Sequence, residues 1–124
     1  MKIAVPSENP GGLDAKICEH FGICPFFTII KLINDDVLSV EIIKNTDHGC
    51  GDCLGLIKKL AENEIKCIIV SKIGSYPLRL LKKFSIDALH AEQKCSVCKI
   101  LELLKEKQLK EYSMLDTCDG ECEC

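Results

Sequence analysis

Ten cysteines, at positions 18, 24, 50, 53, 67, 95, 98, 118, 122 and 124, carry most of the chemistry in this 124-residue sequence. Two of the groups are C-x-x-C pairs. Cys50-Gly51-Asp52-Cys53 has His48 two residues upstream. Three-residue spacing lets both sulfurs face one ion, and Gly49 and Gly51 let the backbone close around it. Cys95-Ser96-Val97-Cys98 repeats the spacing, so the two pairs together could offer four thiolates to Zn²⁺ or to an iron–sulfur cluster. Plainer readings compete. Small residues pack well at a helix start, and Cys98 also suits a buried helix face. A C-x-x-C at a helix N-terminus also lowers thiol pKa, so Cys50 and Cys53 equally suit a thiol–disulfide redox pair.

The remaining thiols read differently. Cys18, His20 and Cys24 form a third group, able to add ligands or simply to pack a loop. Cys118, Cys122 and Cys124 stand among Asp116, Asp119, Glu121 and Glu123 with no basic residue, the composition of a metal-acquiring arm or of a solvated chain end. Cys67 opens the apolar run Cys67-Ile68-Ile69-Val70 and belongs to a core. His90 suits a ligand and a structural histidine equally.

The elements that must position these groups follow from hydrophobic periodicity. Residues 2–6 read as a short strand that Pro6 ends. Residues 7–24 hold Gly11-Gly12 and little periodicity, a loop long enough to be functional. Residues 26–33 and 37–44 are β-branched and aromatic, and Asn34-Asp35-Asp36 joins them as a hairpin. Apolar positions 53, 56, 57 and 60 then fit a helix, followed by the strand at 67–70. Leu80, Leu81 and Phe84 line a second helix with Pro77 in its first turn, and Ile86–Leu89 make a last strand. Val97, Ile100, Leu101 and Leu104 give a third helix ending near residue 108. The expected order is β-β-β-α-β-α-β-α: a mixed five-stranded sheet with helices on both faces, as one domain over residues 1–108 and a flexible Cys-rich acidic tail over 109–124.

Strands joined by single helices run parallel, and a hairpin reverses direction. Tracing those directions collects the loop 7–24, the segment 45–53, the turn 71–77 and the segment 90–98 on one edge of the sheet. Six of the seven cysteines before residue 108 fall there, and Cys67 falls at the other end. That edge is where open α/β sheets bind ligands, and helix N-termini pointing to it would stabilise thiolates.

Composition removes several function classes. With 16 basic and 19 acidic residues the net charge is −3, which lacks the basic excess of a nucleic-acid surface. Aromatic residues make up 5% and Trp is absent, so base-stacking platforms are not expected either. No apolar run reaches the roughly 20 residues of a membrane span, and no signal-peptide pattern appears. The expectation is a cytoplasmic protein whose reduced thiols suit soft metals. No P-loop, G-x-S-x-G or dinucleotide-binding glycine pattern is present, so no enzyme activity is expected.

Met1-Lys2-Ile3-Ala4-Val5-Pro6-Ser7, His20-Phe21-Gly22 with Pro25-Phe26-Phe27, and Ile73-Gly74 resemble the dinitrogenase iron–molybdenum cofactor biosynthesis family over about residues 1–108. The resemblance implies a ribonuclease-H-like three-layer α/β/α fold without nuclease activity. It also implies a scaffold or carrier for iron–sulfur or molybdenum–iron–sulfur clusters, with a cluster-delivering or cluster-accepting protein as partner. His20, His48, Cys50, Cys53, Cys95 and Cys98 are then the candidate cluster ligands, and Cys118, Cys122 and Cys124 further metal ligands. The paired C-x-x-C motifs and the cysteine tail depart from the family's general pattern and leave the cargo open, with zinc as a further candidate.

Overall fold

A computed structural model describes residues 1–19, 21, 24–34, 36–44, 53–91, 95–106 and 109–111, with backbone only at 53 and 54. The elements in chain order are β1 (Lys2–Ser7), β2 (Phe26–Ile33), β3 (Asp36–Lys44), α1 (Cys53–Glu62), β4 (Ile65–Val70), α2 (Ser75–Lys83), β5 (Asp87–His90), α3 (Val97–Lys105) and β6 (Lys110–Glu111). Six strands pair in the order β3-β2-β1-β4-β5-β6. The expected five-stranded β-β-β-α-β-α-β-α arrangement is therefore corrected by one strand. β6 escaped the pattern because two residues paired to Leu89 and His90 carry no alternation to detect.

β1 lies parallel to β4 and β4 to β5, while β2 is antiparallel to both β1 and β3. β1, β3, β4 and β5 thus share one direction, and their carboxyl ends form one edge of the sheet. Pro6 does not end β1, because Ser7 still pairs with Phe26. The Pro6 carbonyl faces away from β2 and accepts from the Cys18 amide at 2.8 Å. The missing proline N–H lies on that same side, where the β1–β4 ladder stops at Ala4.

Alternation along the strands divides the core into two layers. Ala4, Phe27, Ile29, Ile68 and Val70 pack under α1 and α2 with Ile57, Leu60, Leu78 and Leu81. Ile3, Val5, Ile30, Cys67 and Ile69 pack on the other face under α3 with Val97, Ile100 and Leu101. Full burial of each large side chain contributes about 1.5–3 kcal/mol relative to exposure. Two helices on one face and one on the other make the fold a three-layer sandwich. The chain leaves β2 through Asn34 at φ 52°, a left-handed conformation that Asn tolerates better than most residues.

Candidate functional site

The loop after β1 crosses the carboxyl edge and is tied down on both sides of it. On the α3 side, Lys16 bridges Ser96, and the Ile17 amide donates to the Cys95 carbonyl at 2.8 Å. On the α1/α2 side, the Lys72 amide donates to the Glu19 carbonyl at 3.0 Å, and the Phe21 amide donates to the Lys72 carbonyl at 3.1 Å. The Glu19 and Lys72 side chains add an ion pair at 3.0 Å, half exposed and so a minor contributor. Apolar anchors match these bonds. Phe21 is fully buried and meets Phe27 edge-on with ring centroids 5.8 Å apart, whereas Leu13 and Ile17 enter the α3-side core.

Two glycines begin the crossing. Gly11 and Gly12 have φ of 79° and 93°, and a Cβ at Gly11 would stand 2.8 Å from Ile42 Cγ2. The Gly12 amide donates to Thr28 Oγ1 at 3.0 Å, and Thr28 shares a 2.8 Å bond with the Ser7 hydroxyl, which also donates to the Val5 carbonyl. Ser7 and Thr28 are wholly buried, so this network satisfies polar groups that burial would otherwise penalise.

The described candidates separate by burial. Cys95 is half-buried against the α3-side core, and Cys98 is exposed on the second residue of α3. The reading of Cys98 as a buried helix residue is thus overturned, because Val97, Ile100 and Leu101 fill the inward stripe instead. Cys18 follows Ile17, the bonding partner of Cys95, so the loop brings Cys18 beside Cys95 along the chain. Their side chains nevertheless pack on opposite layers of the sheet. This pairing of 15–17 with 95–98 was not visible in the sequence, since a loop carries no periodicity that names a distant partner. Cys24 is fully buried and donates its S–H to the Phe21 carbonyl at 3.3 Å, which makes it a core residue.

Cys67 is buried as expected, and burial, with a smaller contribution from the Asp87 charge, pushes its thiol up to about 12. His90 ends β5 at the carboxyl edge. The backbone of Cys53 opens α1 at the same edge. His20, His48, Cys50, Cys118, Cys122 and Cys124 lie outside the described residues. Among the described residues, no three His, Cys, Asp or Glu side chains come together as a metal site.

One expectation about electrostatics fails at α3. Its first amides do not point to an open site: Val97 donates to the Ala15 carbonyl and Cys98 to the Leu13 carbonyl, both at 2.9 Å. Ser96 caps the helix by accepting from the Lys99 amide at 3.1 Å. The loop therefore uses the donors that an anion at this N-terminus would need. Positive charge reaches the edge by another route. A cavity of about 480 Å³ is lined by His90, Cys95, Lys99 and Lys110 together with Ala91, Leu103 and Leu109.

No helix among the described residues is long and apolar enough to cross a membrane. A family model described as "Dinitrogenase iron-molybdenum cofactor" matches residues 1–107. An uncharacterized protein of Methanocaldococcus jannaschii, MJ0580, is 30% identical over 116 residues, spanning 90% of this chain and 92% of its own. Protein mj0327 of the same organism, known as a crystal structure, is 26% identical with a TM-score of 0.73, covering 91% of this chain and 95% of its own. The apo form of the orange protein of Desulfovibrio gigas shares the fold, with a TM-score of 0.77 at 17% identity over 90% of this chain and 92% of its own.

Proposed function

Because the chain belongs to the dinitrogenase iron–molybdenum cofactor family, we propose that it is a non-catalytic scaffold and carrier, with an iron–sulfur or molybdenum/iron–sulfur cluster as its cargo. On this reading it works in the cytoplasm, exchanges its cargo with a delivering or accepting protein, and has a ribonuclease-H-like fold. Cys50, Cys53, Cys95 and Cys98 are the proposed thiolate ligands, assisted by His20 and His48. Cys118, Cys122 and Cys124 act as an acquiring arm.

The observation that carries the proposal is the place of Cys95 and Cys98 at the carboxyl edge, where a loop bonded to residue 72 on one side and to residues 95–98 on the other leaves Cys98 exposed and Cys95 lining a cavity. Clusters of sulfide and thiolate are soft and anionic. The cavity beside Cys95 offers both a thiol and the ammonium groups of Lys99 and Lys110 to such a cargo.

Anaerobic purification with iron, molybdenum, zinc and sulfide analysis and visible absorption tests this. A sulfide-containing chromophore is expected, and Cys95→Ser should lower its retention without unfolding the chain. A folded, colourless protein that takes up no cluster from iron and sulfide, with or without molybdate, would overturn the proposal. Stoichiometric zinc without sulfide would replace it with a zinc site.

A further inference from the structure

The edge of the sheet away from the cysteine-bearing loop carries a different chemistry. Lys2 of β1 stands directly opposite Lys31 of β2, an arrangement that places like charges side by side across the ladder. Alternation puts both on the face of Ala4 and Ile29, the α1/α2 side. Lys66 adjoins Ile65, the partner of Lys2 on β4. The three lysines share a cavity of about 350 Å³ with Met1 and a single carboxylate, Glu64. Lys2 Nζ also donates to the Asn63 carbonyl just beyond α1, at 3.3 Å. Three ammonium groups against one carboxylate leave this cavity positive in a chain whose net charge is −3.

The opposite charge lies at one end of the sequence. All 16 basic residues precede position 112, whereas residues 112–124 hold Asp116, Asp119, Glu121 and Glu123 and no cation. Direction and reach fit as well. β6 is antiparallel to β5, so the chain leaves Glu111 heading for the lysine edge. Four strand spacings of ~4.8 Å separate β6 from β2, or ~19 Å, while the chain from Glu111 to Asp119 spans up to ~26 Å and to Glu123 up to ~40 Å.

We propose that residues 112–124 dock on the cavity lined by Lys2, Lys31 and Lys66, with Asp116, Asp119, Glu121 and Glu123 supplying the countercharge. The docked tail holds Cys118, Cys122 and Cys124 at the edge opposite Cys95 and Cys98, so its thiols form a separate group rather than completing the site at the carboxyl edge. This inference does not depend on the cargo proposed above and extends to what regulates access to the tail thiols. Charge pairing at an exposed surface is screened, so docking weakens as salt rises and the Debye length falls from ~10 Å at 0.1 M.

The test uses the reduced, metal-free full chain labelled with ¹⁵N. Raising the salt from low concentration to about 0.5 M, where the Debye length is below about 5 Å, should shift the amides of residues 2, 31 and 64–66. It should also loosen residues 112–124 in relaxation measurements. The full-chain variant Asp116→Asn/Asp119→Asn/Glu121→Gln/Glu123→Gln should show the high-salt spectrum already at low salt. Lys2→Gln/Lys31→Gln/Lys66→Gln should release the tail in the same way. Spectra of wild type and tail variant that differ instead around residues 13–18 and 95–98, or not at all, overturn the proposal. Shifts that grow with protein concentration assign the tail to a second copy and overturn docking within one chain.

Discussion

Cysteine type alone says little about what each thiol does, and burial decides among them. Cys24 and Cys67 are core residues, whereas Cys98 faces solvent and Cys95 lines a cavity. For Cys67 the consequence can be measured. Its thiol is raised from 9.0 to about 12, chiefly by burial and then by Asp87, so the folded state keeps this proton where the unfolded chain releases it. The contribution to stability is full below pH ~9 and is lost as pH rises from ~9 to ~12. Chemical denaturation across that range should show a steeper alkaline loss for the wild type than for Cys67→Val, which keeps a similar volume and removes the titrating group. Parallel alkaline curves would show that the Cys67 proton is not linked to folding.

The helices show how local signals end elements and set the site. α2 stops in a paired-bond C-terminal motif: the Ser85 amide donates to the Lys82 carbonyl and the Ile86 amide to the Leu81 carbonyl, with Ser85 at φ 59°. A non-glycine residue is strained there, so Ser85→Gly should stabilise the protein by about 0.5–1 kcal/mol. At α3 the reverse holds. Ser96 supplies the cap, and Ser96→Ala should cost about 1 kcal/mol in urea denaturation. The serine inside Cys95-Ser96-Val97-Cys98 is thus the residue that starts the helix. It leaves Cys95 on the preceding loop and Cys98 in the first turn, which explains their different exposure.

At the scale of the molecule, the loop after β1 joins the two cores across the sheet edge, and its entry depends on Gly11. Gly11→Ala meets two penalties, a φ of 79° and a Cβ 2.8 Å from Ile42 Cγ2. A loss of about 1–2 kcal/mol is expected from the backbone conformation, with the steric contact adding to it. Placing Gly11→Ala in an Ile42→Ala background should recover the steric part and leave the conformational part, a difference readable in a double-mutant cycle. Full recovery would show that the left-handed backbone carries no cost.

The sequence by itself determined the strands and helices of the first eight elements, because the helices bury a stripe at helical spacing and most strands are rich in β-branched residues, even β3, which buries none of its residues. It determined the directions of β1, β3, β4 and β5, and so the edge to which their described carboxyl ends lead, since strand direction follows from connection type. It also determined the burial of Cys67, which opens the uninterrupted apolar run 67–70 within β4. Tertiary structure alone decided the rest. β6 exists through pairing to β5, and Cys24 is core because Phe21 and Phe27 close around its segment. The loop segment 13–17 meets residues 95–98 through backbone bonds that any side chains could make. Those bonds occupy the amides of α3 that seemed available to a ligand when the helix was considered alone. Local patterns encode which face of an element is buried; contacts between distant irregular segments depend on shape and backbone pairing, which leave no periodic trace.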